Sequence, residues 1–192
     1  MKKLFGFVSI VVILSLILGS SFAPSQIVLE REAYVTFNAP ADIEAVRSMG
    51  YWKNHLKIIE DNWNSQHSWR TYVKSFNAFS SLSDDPFSAI DEIYQILDGA
   101  NARDMEVMLK AQLIVMVLNI VSGYVPSNTL VDLGGARGAV ALFGIDFLEA
   151  ENVVIAIDNN VFTSSPTWTS RWQQEIAKDV LDAMNNNQIF VD

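Results

Sequence analysis

The chain contains no cysteine. Disulfides, thiolate zinc sites and cysteine nucleophiles are therefore excluded, and stability has to come from packing alone. Histidine is nearly as scarce, with only His55 and His67. Their spacing matches no metal-ligand pattern, and neither a Ser-His-Asp order nor a pair of catalytic carboxylates can be argued from spacing. No catalytic residue, metal or cofactor is expected. Positive charge is short as well: 13 Lys and Arg stand against 22 Asp and Glu, a net charge of −9, with no basic cluster. No nucleic-acid partner is expected, because phosphate neutralisation needs clustered cations.

What is present is apolar. Half of the 192 residues are hydrophobic and 18% are charged. Such a chain is long and apolar enough for one domain with a real core.

Residues 1–23, MKKLFGFVSIVVILSLILGSSFA, read as an export signal. Lys2 and Lys3 form its positive start, Leu4 to Leu18 its apolar run, and Gly19 to Ala23 its small-residue end. Pro24 follows directly, which hinders cleavage after Ala23. Left uncut, the run is just long enough to remain as a membrane anchor, the only membrane contact expected. Gly6-Phe7 also resembles a prepilin junction, although the acidic residue usual after that junction is missing.

Residues 24–40 read as an extended N-terminal segment. SQIVLEREAYVTFN, residues 25–38, alternates loosely and is rich in β-branched and aromatic residues. It either docks on its own domain or adds to a second copy. Asn38-Ala39-Pro40 breaks the pattern, and residues 41–192 read as a helical domain. The expected fold is mainly α: a compact single-domain helical bundle with a short extended N-terminal strand or arm. Helices are expected near 41–48, 51–63, 67–77, 87–98, 104–122, 137–160 with a break, and 167–185.

The clearest is MEVMLKAQLIVMVLNIVSG, residues 105–123. It is apolar nearly all round, which defines an enclosed central helix, and Gly123 is placed to end it. Gln112 and Asn119 lie seven apart on one face of it. Buried amides must be hydrogen-bonded or they destabilise the fold. In the last helix, begun by Ser164-Ser165-Pro166, the residues Trp168, Trp172, Ile176, Val180 and Met184 make an apolar stripe, with Ala177 and Leu181 beside them.

GYWKNH, residues 50–55, concentrates unusual chemistry in six positions. On a helix over 51–63, Trp52, His55, Ile59 and Trp63 share a face. Trp52 then anchors the core and His55 donates a ring hydrogen bond to a backbone carbonyl. The alternative makes Tyr51, Trp52, Asn54 and His55 part of a ligand cleft. Gln112 and Asn119 join these candidates as partners of His55, Asn54 or Tyr51 in a polar latch.

The stretch resembles the signature of a family of secreted and cell-surface domains of bacteria and archaea, Gly-Tyr-Trp-Lys-Asn-His followed by Pro and then another Trp. EIYQILD at 92–98, LKAQLIVMVLN at 109–119 and LDAMNNN at 181–187 are similar to three further helices of that family, in order. Leu56 stands where the family has Pro, Trp63 comes late, and 127–165 has no counterpart. The resemblance implies an exported, self-contained, mostly helical domain and brings no catalytic residues with it.

Three other stretches have structural readings. LGGARG, 133–138, lacks the spacing of a phosphate loop and reads as a turn before a helix. Asp84-Asp85 before Pro86 reads as a helix N-cap. Asp158-Asn159-Asn160 offers oxygens to calcium without the EF-hand pattern and reads as a loop.

The expected function is that of an exported surface or extracellular protein, a non-enzymatic binding or assembly module. Its expected partners are a cell-surface component, or another copy through residues 25–38. The alternatives are a secreted hydrolase with a His-based or metal-assisted site, and a filament subunit assembled through the N-terminal segment.

Overall fold

Helix α5, Met105–Val121, runs through the centre of the molecule. In the computed structural model, which describes residues 46–65 and 68–191, residues 111–120 of this helix are buried without interruption. A helix apolar on every side can only be satisfied by neighbours all round. Here they are α8 (Arg171–Asn185), α7 (Ala150–Val161), α4 (Pro86–Asp98), α3 (Trp69–Lys74) and α1 (Met49–Asn54). The remaining elements are α2 (Leu56–Trp63), α6 (Ala139–Phe143) and the strands β1 (Leu130–Asp132) and β2 (Phe147–Glu149). The fold is mainly α, as expected. The described residues belong to one compact unit. No helix of the described residues is long and apolar enough to cross a membrane. The signal or anchor at 1–23, the extended segment at 24–40 and His67 lie outside the described residues.

Local chemistry sets most boundaries. Asp85 accepts the amide of Ser88 and Pro86 occupies the first turn, so α4 begins where the Asp-Asp-Pro sequence predicts. Asp104 caps α5 through the amide of Val107. Gly123, just past α5, sits at φ +79°, a conformation glycine adopts without strain. LGGARG becomes a 3-10 turn over Leu133–Gly135 and then the start of α6 at Gly138. Gly138 has φ +80°, and a Cβ there would come within 2.8 Å of the end of the Ile176 side chain, so any other residue would be strained and would have to displace it.

Several expectations are corrected. Of the helix expected over 41–48, residues 41–45 lie outside the described residues and 46–48 are not helical; Ser48 is extended and caps α1 through the amide of Tyr51, so α1 starts at Met49. The single helix over 51–63 is two, broken at His55. The helix over 67–77 is α3 alone, followed by a 3-10 turn, Asn77–Phe79. The region 137–160 holds α6, β2 and α7, and Asp158-Asn159-Asn160 lies within α7 rather than in a loop. The last helix begins at Ser170, not at 164–166, because Ser170 and Gln173 form a reciprocal capping box. Trp168 therefore precedes the helix, although its ring is buried; Trp172 is 57% exposed and does not belong to the core stripe.

The strands escaped the periodicity because they are three residues long. β1 pairs antiparallel with β2, Val131 facing Leu148, and bridges on its other edge to Phe190. This small sheet closes the end of the bundle and ties the C-terminal residues down through Asp132 N to Ile189 O and Val191 N to Leu130 O.

Candidate functional site

The break inside GYWKNH has a local cause. His55 Nδ1 lies 2.7 Å from the carbonyl of Tyr51, the acceptor that the His55 amide would use in a continuous helix. A carbonyl only accepts, so Nδ1 carries the proton. The backbone amide of His55 turns instead to Trp52 O. Asn54 likewise sends its amide to Gly50 O at 2.8 Å. Side chains that satisfy backbone acceptors compete with the helix ladder and end it.

The break aims alternate residues in opposite directions. Trp52 points into the core and is fully buried, against Trp69 and Tyr124. Its indole N–H donates to Asn119 Oδ1 at 3.2 Å. Asn119 also grips the backbone of Arg47, accepting its N–H at 3.0 Å and donating to its carbonyl at 2.9 Å, as a neighbouring strand would. The same amide donates to Asn185 Oδ1 at 3.3 Å. Asn185 in turn donates to Gln112, to the side-chain oxygen at 2.8 Å and to the backbone carbonyl at 3.1 Å. Gln112 ends the chain by donating to Asp182 at 2.9 Å.

A polar latch therefore runs through the apolar bundle, and Gln112 and Asn119 belong to it as expected. Its other members differ from expectation. His55, Asn54 and Tyr51 form no part of it: His55 and Asn54 are exposed, and Tyr51 is half-buried. Trp52, Arg47, Asn185 and Asp182 take their places. His55 also leaves the face shared by Trp52, Ile59 and Trp63, all three fully buried, because the break rotates it outward. A signal for Asn185 was present: it is the next position after Leu181 on the last helix's apolar stripe, where a polar residue must find a partner. Arg47 had none, because its partner grips only its backbone.

Outside the latch lies a rim of rings around one cation. The Arg47 guanidinium sits 4.8 Å from the Tyr51 ring centroid and 4.7 Å from that of Tyr124. His55 stacks on Tyr51, centroids 4.0 Å apart. The two tyrosine hydroxyls are 3.3 Å apart. The hydrogen bond between the two hydroxyls, aided by Arg47, holds the Tyr124 hydroxyl below the usual tyrosine range, and the same bond pushes Tyr51 up. Among the described residues, buried Arg47 Nε has no hydrogen-bond partner and no carboxylate pairs with this guanidinium.

Beside this rim is an open depression of about 420 Å³ lined by Val46, Arg47, Ser48, Tyr51 and Asn185–Asn187. No acidic side chain is among its described lining residues. A second depression, of about 460 Å³, lies near the other end of the latch, where Arg171, Glu175, Lys178 and Asp182 surround Met105 and Met108.

Asp158 is the other buried polar centre. It accepts from Asn77 N at 2.7 Å, Asn77 Nδ2 at 2.8 Å and Ala78 N at 2.9 Å, and so fastens the 3-10 turn to α7. Its oxygens serve the backbone. Among the described residues, no group of three His, Asp or Glu side chains could hold a metal ion. His55 meets the Tyr51 ring and carbonyl, and no described carboxylate pairs with it.

No protein-family model, no curated protein and no solved structure matches the chain.

Proposed function

We propose that this chain is an exported surface or extracellular protein that works by binding, and that it belongs with the secreted and cell-surface domains whose GYWKNH signature it resembles. The lysine-led apolar run at 1–23 supports export. One observation carries the binding reading. The Trp52 indole N–H, Nδ1 of His55 and the Asn54 amide are spent on holding the fold, whereas Arg47 and Tyr51 border an open polar depression. His55 meets a backbone carbonyl within its own motif and no described carboxylate, which supports a structural role for the motif. The working surface is the face carrying Arg47, Ser48, Tyr51, Tyr124 and Asn186.

The test is twofold. Fractionation of producing cells, with protease added outside, should find the chain accessible beyond the cytoplasmic membrane. Protection from protease in intact cells would remove the exported reading. Labelled protein should then bind a cell-envelope preparation, and Ser48→Trp, which fills the depression from an exposed position, should reduce that binding. Equal binding by the variant would move the working surface elsewhere. Polymers that form with concentration and vanish on deletion of residues 25–38 would instead favour the filament reading.

A further inference from the structure

Resting on that reading, we infer that the depression beside Arg47 takes an acidic saccharide, a hexuronate unit whose carboxylate meets the guanidinium and whose hydroxyls meet Ser48 and Asn186. Three observations lead there. The first is the sign of the charge. The protein carries −9 overall, yet every described residue lining this depression is neutral or cationic. Arg47 is the one charged side chain among the described lining residues, and a cation with no described carboxylate paired to it selects an anion.

The second is preorganisation. Asn119 fixes the Arg47 backbone at both its N–H and its carbonyl, and two tyrosine rings hold the guanidinium. The group is partly desolvated, its Nε–H has no acceptor, and no described carboxylate neutralises it. A guanidinium so placed has little freedom to lose when it pairs with a planar carboxylate.

The third is the remaining polar chemistry. Ser48 Oγ accepts from the Tyr51 amide and keeps its own O–H to donate. Asn186 spends its NH₂ on Asp182 and keeps its side-chain oxygen to accept. One donor and one acceptor beside a cation fit vicinal hydroxyls next to a carboxylate. Both faces of the Tyr51 ring are already taken, by Arg47 and His55, so the sugar is gripped at its polar edge and not by stacking. A volume of about 420 Å³ suits one or two sugar units.

The experiment is calorimetric titration of the full chain with a galacturonate trisaccharide, the matching neutral galactose trisaccharide, and acetate. The acidic trisaccharide should bind about tenfold or more tightly than either control, and added salt should weaken it. Arg47→Gln leaves the backbone grip of Asn119 in place, so the variant should fold; it should lose about tenfold in affinity, with Arg47→Lys between. Ser48→Ala and Asn186→Ala should each weaken the acidic sugar and leave acetate unchanged.

Equal binding of the acidic and neutral sugars, or an unchanged Arg47→Gln variant, overturns the inference and leaves a binding module of another specificity. Acetate matching the trisaccharide, with Ser48→Ala silent, also overturns it, reducing the site to a carboxylate contact. If no saccharide binds while Ser48→Trp still abolishes envelope binding, the acidic-sugar inference fails and the binding reading stands. If Ser48→Trp changes nothing either, both fail.

Discussion

The indole N–H of Trp52 meets Oδ1 of Asn119 at 3.2 Å, 67 residues away in the chain. One side chain thereby joins the middle of GYWKNH to the most buried helix, and the same amide holds Arg47 by its backbone. Replacing Asn119 by Leu would strand the indole N–H and both Arg47 backbone groups. Each orphaned group costs about 1–3 kcal/mol, so Asn119→Leu should lose roughly 3–5 kcal/mol by urea unfolding. Trp52→Phe should lose less, and the double variant less than the sum of the two. Additive losses would show that the two residues are not coupled.

Gln112 supplies a narrower test. Gln112→Leu removes the oxygen that Asn185 meets at 2.8 Å, but Asn185 keeps the Gln112 backbone carbonyl at 3.1 Å. The expected loss is about 1–2 kcal/mol. The ring signals of His55 in NMR spectra should not move, because the latch does not reach that residue. A shifted His55 signal would join the two halves of the motif after all.

Asp158 accepts three N–H groups in a buried place. An amide in its position offers a single acceptor oxygen and turns an NH₂ toward a donor. Asp158→Asn should therefore cost roughly 2–3 kcal/mol and lower the melting temperature. Added calcium should leave the melting temperature of the parent unchanged, because the carboxylate already serves the turn. A stabilisation by calcium would contradict this assignment.

The acid limb of stability has a local source in the turn before α4. Hydrogen bonds from the Ser88 amide and hydroxyl hold the Asp85 carboxyl below its ordinary value, and Lys74 does the same for Asp84. Folded values below the unfolded one mean that the folded state binds fewer protons. Their contribution is complete above about pH 4, the unfolded carboxyl range, and is lost as pH falls through the lowered folded values. Asp85→Asn retains a competent N-cap but cannot titrate. Its unfolding midpoint should fall less steeply between about pH 4 and 2 than that of the parent. Parallel curves would place the acid sensitivity elsewhere.

Much of this architecture was readable from residue patterns, and the failures have physical causes. The central helix was legible because an all-apolar run of that length has one stable solution in a globular domain. The need of Gln112 and Asn119 for partners was legible from burial alone. Their actual partners were not, since the sequence does not say which of several polar groups a fold brings within 3 Å. The break at His55 was hidden because the apolar spacing of Trp52, Ile59 and Trp63 continues across it. Trp172 misled for the opposite reason: it keeps the stripe's interval but lies in the first turn of α8, where the packed face begins only at Ile176. Arg47 and Tyr124 had no signal at all, because their meeting depends on how α1 docks against the end of α5.

The grip of Asn119 on Arg47 also bears on mechanics. Tension applied to the chain at Val46 would meet this paired contact before it reached α1. The load would pass directly into the central helix, the element with the most neighbours to share it. A short amide side chain then acts as a strain relief, and the order in which parts of the molecule yield under a pull becomes a property of one residue.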